Sequence, residues 1–159
     1  MGHFTKAEIQ SEFERYLGRS AACDWAAWAE HFTEDAEYVE HEFGVMHGRD
    51  AIREWIVATM APAVDMTFPV EWSVIDEDRD RVVFFSWNQF PALPGHQPAD
   101  FQFGTISIID YAGDGKWKRQ EDIYNAKEAD AALTRYLETA AAEGVDLGDM
   151  PSSSDDLPS

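Results

Sequence analysis

The chain has 159 residues, enough for one domain with a sizeable hydrophobic core that needs no disulfide or metal to stabilise it. Its formal net charge is −19 and its pI is near 4.3, so repulsion from phosphates argues against nucleic acid and anionic membrane surfaces as partners. Aromatic residues make up 13% of the chain, which indicates a deep apolar cavity or a large interface.

The chain contains one cysteine, Cys23, which cannot form an intrachain disulfide, and it has no metal-type cysteine spacing. No stretch approaches the roughly 18 uncharged apolar residues of a membrane span. The first residues reach acidic side chains without an apolar run, so no signal peptide is predicted. We therefore expect a cytoplasmic protein.

Two helices are predicted at the start of the chain. Thr5 begins the first with a Thr-x-x-Glu capping box, and its apolar face continues to about Gly18. Asp24 caps the second, shorter helix, whose bulky apolar stripe extends to Phe32. Both helices are expected to pack on the core.

A strand and a third helix follow, with a turn between them. Residues 36–43 are predicted as the strand, and Gly44 and Gly48 bracket the return of the chain. Asp50 is predicted as the N-cap of the third helix, which Pro62 ends.

The pattern then alternates with a period of two, which is typical of strands. The predicted strands are residues 66–75, 81–90, 101–111 and 117–124. Residues 76–80 are interpreted as a solvated hairpin turn. Residues 91–98 form a loop rich in proline that is a candidate rim for a pocket.

A last helix begins at Asn125 and ends near Gly144. The predicted single domain is residues 1–143, and the acidic segment 144–159, rich in serine and proline, is expected to be disordered. Helices gathered on one face of a bent antiparallel sheet define an α+β domain with a cup between the two layers.

Three motifs resemble the SnoaL-like, polyketide-cyclase-like group of the nuclear transport factor two superfamily, over about residues 5–143. They are WAEHFTEDAEY at 28–38, GRDAIREW at 48–55 and GKWKRQEDIYN at 115–125. The resemblance implies a cone-shaped, cystatin-like α+β barrel in which a curved antiparallel sheet wraps around helices. It also implies an apolar interior and a homodimer formed through the outer sheet face.

The superfamily includes isomerases, cyclases, dehydratases, epoxide hydrolases and binding modules, so its fold alone does not give a function. Tyr16 and Glu40 of this chain are similar in position to the oxyanion-binding tyrosine and the carboxylate base of the ketosteroid isomerases. Ser107 stands where those enzymes carry a second, protonated acid, which argues against steroid isomerisation. The resemblance to the polyketide cyclases points to Asp122 as an acid or base on the last strand.

Strand alternation places Tyr38, Glu40 and Glu42 on one face and His41 on the other. If Glu40 faces the apolar cup, desolvation should raise its pKa toward neutrality and suit it to proton transfer. Alternatively, Glu40 lies at an open rim and stays hydrated. If the strand is bulged, His41 turns inward and acts with Glu40 as an acid–base pair.

Asp122 shares a face with Gln120 and Tyr124 by the same alternation. We consider two roles for it: a general acid or base opposite Glu40, or a buried ion pair with Arg49 or Arg53 that fixes the third helix. Tyr16 likewise either holds an oxyanion or is a core tyrosine whose hydroxyl bonds the backbone.

These observations favour a cofactor-independent isomerase, cyclase or dehydratase that performs acid–base chemistry on a small hydrophobic carbonyl compound. The alternatives are a non-catalytic binding module and an interaction scaffold.

No metal site is predicted, and Trp72 and Trp117 are expected on the outer sheet face. The predicted catalytic residues are Glu40, Asp122, Tyr16 and His41. The predicted ligand-binding residues are Trp28, Tyr38, Trp55, Trp87, Phe101, Phe103, Ser107 and Tyr124.

Overall fold

The computed structural model describes residues 2–63 and 65–148. Within them, the α-helices are α1 (Lys6–Ala21), α2 (Trp25–Ala29), α3 (Arg49–Met60) and α4 (Ala126–Glu143). The strands are β1 (Phe32–Glu40), β2 (Gly44–His47), β3 (Val70–Asp76), β4 (Arg81–Gln89), β5 (Gln102–Gly113) and β6 (Lys116–Tyr124). Single turns of 3-10 helix lie at Ala61–Ala63 and Pro98–Asp100.

The strands form a six-stranded open sheet in the order β2-β1-β6-β5-β4-β3, with the helices packed against it. The predicted α+β class is confirmed. The sheet is mixed, because β1 pairs with β6 in parallel while the neighbouring pairs are antiparallel. The strands β3, β4, β5 and β6 follow one another in the chain, and each forms an antiparallel hairpin with the next. In contrast, most of the chain lies between β1 and β6, and strands joined by such a long connection can pair in parallel.

The predicted caps of the first two helices are confirmed. The Thr5 and Asp24 side chains each accept a hydrogen bond from a backbone N–H in the first turn, at 3.2 and 3.1 Å. Helix α1 continues past the predicted end at Gly18 to Ala21. It ends close to Cys23, whose φ of 53° turns the chain out of the helical path.

Other boundaries also differ from the prediction, and the strand predicted from residue 66 begins only at Val70. Phe32 begins β1 instead of ending the second helix, and the strand predicted at 36–43 is replaced by β1, a turn and β2. Gly48, with a φ of 89°, is the N-cap of α3 in place of Asp50. Asp50 lies in the first turn and accepts a 2.7 Å hydrogen bond from Arg53. A glycine at this position permits a backbone conformation that aspartate rarely adopts.

Trp117 was predicted on the outer sheet face, and this is wrong. Its side chain is fully buried in the core beside Tyr16 and Tyr111. The register between β5 and β6 shifts on both sides of Tyr111, so simple alternation fails near the turn. Trp72 does lie on the outer face, 44% exposed and stacked on Phe85.

The turn at residues 76–80 is charged, as predicted, but it is not wholly solvated. Asp80 is only 4% exposed, and its carboxylate accepts hydrogen bonds from the backbone N–H groups of His3 and Phe4. Phe4 in turn packs edge-on against Tyr111. The N-terminal segment is therefore fastened to the β3–β4 turn.

The loop at residues 91–98 packs beside α4 instead of forming the rim of a pocket. Leu93 is buried in the core, and His96 lies 2.9 Å from a Glu143 carboxylate oxygen near the end of α4. None of the loop residues lines the cavity described below.

Helix α4 begins after Asn125, whose side chain caps it, and ends at Gly144 with a left-handed φ of 69°. Val145 and Leu147 then pack against the core, so order continues beyond the predicted domain end. The expected disorder of residues 149–159 falls outside the described residues. Among the described helices, none is long and apolar enough to cross a membrane.

Candidate functional site

A cavity of about 580 Å³ lies between the inner face of the sheet and the helices. Aromatic and aliphatic side chains make up most of its wall, and the strands add a polar strip. Six of the predicted ligand-binding residues line it: Trp28, Tyr38, Trp55, Phe103, Ser107 and Tyr124.

Trp87 and Phe101 were also predicted to bind the ligand, but neither lines the cavity. Trp87 faces the other side of β4, where its indole N–H donates to Glu71 at 2.7 Å. Phe101 is buried before β5 and packs against Tyr136 of α4. Both serve packing outside the candidate site.

Asp122 is the centre of a hydrogen-bonded network on the sheet wall. Its Oδ1 accepts from the Ser107 hydroxyl at 2.6 Å and from Gln120 Nε2 at 3.0 Å. Its Oδ2 accepts from the Tyr38 hydroxyl. Strand register explains the arrangement, since Ser107 on β5 and Glu40 on β1 lie directly beside Asp122 on β6.

Burial raises the pKa of the Asp122 carboxyl group, although the hydrogen bonds from Ser107, Tyr38 and Gln120 act in the opposite direction. The side chain keeps some accessible surface because it borders the cavity, while protein surrounds it on the other sides. Desolvation therefore dominates. Asp122 is a stronger base than an ordinary aspartate and releases its proton at a higher pH.

Tyr16 extends this network from α1. Its hydroxyl donates to Gln120 Oε1 at 2.8 Å, and Gln120 Nε2 donates to the Tyr38 oxygen at 2.9 Å. The alternative of a backbone partner for Tyr16 is therefore wrong. Burial, followed by the charge of Asp122, raises the pKa of both tyrosines, so their hydroxyls stay protonated and act as donors.

Glu40 lines the cavity and is only 4% exposed, so the alternative of a hydrated carboxylate at the rim is wrong. Its Oε2 accepts from the backbone N–H groups of Glu42 at 2.9 Å and Phe43 at 2.6 Å. This carboxylate thus caps the turn between β1 and β2. Its Oε1 is buried with no donor in hydrogen-bonding geometry.

Tyr124 lies close to Glu40. Burial raises the pKa of the Tyr124 hydroxyl, and the neighbouring Glu40 carboxylate raises it further. Its hydroxyl therefore stays protonated at neutral pH, on the cavity wall beside Glu40.

His41 does not join Glu40 in the cavity. Its side chain is 55% exposed and lies 3.1 Å from Glu121 on the outer face, so the inward turn considered above is wrong. The alternative of an ion pair between Asp122 and Arg49 or Arg53 is also wrong, because both arginines pair with Glu30 instead. In the described part of the chain, no three histidine, cysteine or acidic side chains form a group suited to a metal ion.

Charge within the cavity has one sign. Its wall carries the carboxylates of Glu40, Glu42, Asp122 and Asp130, and its lining in the described residues includes no lysine, arginine or histidine. A carboxylate or phosphate on a ligand would meet repulsion here without a compensating cation. The cavity is therefore unsuited to anionic ligands.

Gln120 was not predicted as a site residue, although alternation placed it on the face of Asp122. Three further residues of the same wall were not predicted either: Ser86, Asn88 and Thr105. The available signal was their spacing of two along β4 and β5, in phase with Phe84 and Ser107. Small polar residues on a strand are common on solvated faces, so this signal becomes specific only when the inner face is known.

Residues 13–120 match the SnoaL-like domain model, and the chain belongs to this family. Membership confirms the resemblance carried by the three sequence motifs. None of the curated proteins compared with the chain matches it.

Solved structures show the same fold. An LEH-like epoxide hydrolase from M. tuberculosis is 15% identical, with a TM-score of 0.67 over 91% of this chain and 96% of that one. The epoxide hydrolase/cyclase-like enzyme SalBIII, with a role in pyran ring formation in salinomycin, is 16% identical, with a TM-score of 0.63 over 77% and 95%. TerC, co-crystallised with polyporic acid, is 19% identical, with a TM-score of 0.60 over 75% and 92%.

Proposed function

We propose that this protein is a cofactor-independent acid–base enzyme that acts on a small hydrophobic carbonyl compound, with Asp122 as the proton-transfer group. One observation carries the proposal: Asp122 is fixed by Tyr38, Ser107 and Gln120 at the wall of a largely apolar cavity. The SnoaL-like family and structural neighbours that include cyclase-like and epoxide hydrolase-like enzymes support a reaction of the isomerase or cyclase type.

The proposed step is removal of a proton from the carbon next to the ligand carbonyl. The C–H bond breaks, the proton bonds to an Asp122 oxygen, and the electron pair moves through the new carbon–carbon double bond onto the carbonyl oxygen. Where a carbon–carbon double bond is conjugated with the enolate, return of the proton from Asp122 to the far carbon of that bond completes an isomerisation. Alternatively, the enolate carbon attacks a second carbonyl and closes the ring, and the oxygen of that carbonyl takes the proton back from Asp122. Neither route needs an oxidant or a reductant.

Oδ2 is the oxygen suited to this transfer. It accepts only the Tyr38 hydrogen bond, whereas Oδ1 accepts two, so Oδ2 retains a lone pair for the ligand. The surrounding donors hold the carboxylate in one orientation, which is what general-base catalysis requires. The raised pKa of Asp122 brings it nearer the working pH than an ordinary aspartate.

A non-catalytic binding module is the second candidate. It is favoured by the direction of the hydrogen bonds, because Tyr16, Tyr38 and Ser107 all donate within the protein. Such saturated groups stabilise the sheet wall without taking part in chemistry.

We also propose a homodimer formed through the outer sheet face. Four apolar side chains are exposed there at 37–59%: Trp72, Val74, Ile106 and Ile123. Exposed apolar side chains gathered on one sheet face are typical of an interface.

The test is hydrogen exchange in D₂O on 2-tetralone, a neutral bicyclic ketone. Wild type should accelerate deuterium uptake at the carbons next to the carbonyl, and Asp122→Asn should reduce that acceleration by about 100-fold or more. Asp130→Asn, which alters another carboxylate on the cavity wall, is the matched control and should leave exchange unchanged. Saturable binding of the ketone without any acceleration would instead favour the binding module.

A further inference from the structure

The cavity has a second polar region that the proposed chemistry does not use. Ser86 on β4 and Thr105 on β5 are each 6% exposed and line the cavity wall, and Asn88 lies next to them. Asn88 Nδ2 donates to Thr105 Oγ1 at 2.6 Å. The Ser86 hydroxyl has no hydrogen-bond partner among the described residues.

Strand register fixes the position of this region relative to Asp122. Ser86 pairs with Thr105, and Thr105 pairs with Tyr124, which gives a row across three strands. The adjacent row on the same face pairs Ser107 with Asp122. Two residues along a strand span about 7 Å, so the Ser86–Thr105 pair lies about that far from the Asp122 row.

The two hydroxyls lie on the cavity wall with hydrogen-bonding capacity that the described residues leave unused. An oxygen atom of a ligand in the cavity can use that capacity. Thr105 Oγ1 already accepts from Asn88, so its own proton remains available as a donor, and the Ser86 hydroxyl is available as donor and acceptor. Two such groups side by side match a carbonyl or hydroxyl oxygen.

We infer that Ser86 and Thr105 form a second binding subsite for an oxygen atom of the ligand, on the cavity wall one row away from Asp122. The part of this inference that places the reacting end of the ligand at Asp122 rests on the proposed function. The substrate class is then an uncharged ring compound with two oxygen functions about 7 Å apart. The absence of basic side chains from the described lining fits an uncharged ligand.

The test compares two neutral probes, 2-naphthol with one hydroxyl and 2,6-dihydroxynaphthalene with one at each end. Isothermal titration calorimetry gives the dissociation constant of each. Wild type should bind the diol about fivefold more tightly, the gain expected from one additional net hydrogen bond of about 1 kcal/mol. The double variant Ser86→Ala/Thr105→Val should lose this preference while its affinity for 2-naphthol stays unchanged.

Controls separate the subsite from a folding defect. Ser86→Ala/Thr105→Ser keeps one hydroxyl and should retain part of the preference, and Ser73→Ala changes an exposed serine on β3 and should retain all of it. Equal affinity of wild type for both probes, no binding of either, or an unchanged preference in the double variant would overturn the subsite.

The exchange experiment with Asp122→Asn keeps the two proposals distinguishable. A double variant that loses the diol preference while 2-tetralone exchange is absent in wild type supports the subsite and contradicts the acid–base function. Exchange that depends on Asp122 together with an unchanged diol preference supports the function and contradicts the subsite.

Discussion

Glu40 and Asp122 lie opposite each other on the parallel strands β1 and β6, yet their carboxylates have different partners. Glu40 bonds backbone N–H groups of its own turn, whereas Asp122 bonds side chains from three different strands. The two residues are therefore neighbours in the sheet, but the Glu40 carboxylate is held by its own turn and the Asp122 carboxylate by the side chains of the cavity wall. This difference moves the proposed base from Glu40, the residue indicated by the isomerase resemblance, to Asp122.

Glu40→Gln should lower the free energy of unfolding by about 1 kcal/mol, because two backbone donors lose a charged acceptor. Exchange on 2-tetralone should fall far less than in Asp122→Asn. Urea unfolding and the exchange assay, run on both variants, measure the two effects. Loss of exchange in Glu40→Gln equal to that in Asp122→Asn would return the role of base to Glu40.

Tyr38→Phe should shift the acidic limb of the exchange rate to higher pH. The Tyr38 hydrogen bond lowers the pKa of Asp122, so its removal raises that pKa further, and a general base loses activity below its pKa. The pH–rate profile measures the shift. Tyr111→Phe, which removes a hydrogen-bonded hydroxyl outside the cavity, is the control and should leave the profile in place.

Asp80→Asn should make the protein less stable at neutral pH and flatten the acid dependence of its stability. Hydrogen bonds from the backbone of His3, with smaller contributions from its ring and from Phe4, lower the pKa of Asp80. A lowered carboxyl pKa stabilises the fold above the unfolded value of about 3.9, and this contribution disappears as pH falls through the folded value.

Thermal unfolding of the Asp80 variant and wild type across the acidic range checks this expectation. Asp114→Asn is a matched control, since Asp114 has nearly the same positive φ, 53° against 51°, and asparagine tolerates that conformation. If the stability of Asp80→Asn and of wild type changed with pH in the same way, the hydrogen bonds between Asp80 and the N-terminal segment would contribute nothing to the pH dependence of stability.

Val74→Glu should convert the proposed homodimer to a monomer, because it places a charge on the exposed apolar sheet face. Sedimentation velocity at several protein concentrations gives the oligomeric state. Val57→Glu changes an apolar residue of α3 that is also exposed, at 42%, and should leave the dimer intact. A wild-type protein that sediments as a monomer would contradict the interface.

The sequence patterns predicted element types well and failed where both faces of an element look alike. Strand β4 carries Phe84 and Phe85 in succession, so apolar alternation does not reveal which row faces inward. The structure buries Phe84 at the cavity and leaves the row of Trp87 on the outer side. That choice depends on the whole sheet, and it explains the wrong placement of Trp87.

The pairing of strands that are distant in the chain could not be predicted from the sequence pattern either. Alternation correctly placed Gln120 on the face of Asp122, but nothing in the local pattern indicated that β1 would lie in parallel beside them. The link of Tyr38 to Asp122 follows from that pairing, whereas Tyr16 reaches Gln120 from helix α1. Hydrogen-bond partners across a sheet are set by register, which a single sequence does not display.

The parallel pairing of β1 with β6 also has a kinetic consequence. Tyr38 and Asp122 are 84 residues apart in sequence, and Tyr16 and Gln120 are 104 apart, so no hairpin can assemble the network alone. Contacts of such long range close late, after the loop entropy between them has been overcome. Recovery of exchange activity during refolding should therefore trail the return of β-sheet circular dichroism from the β3–β6 hairpins.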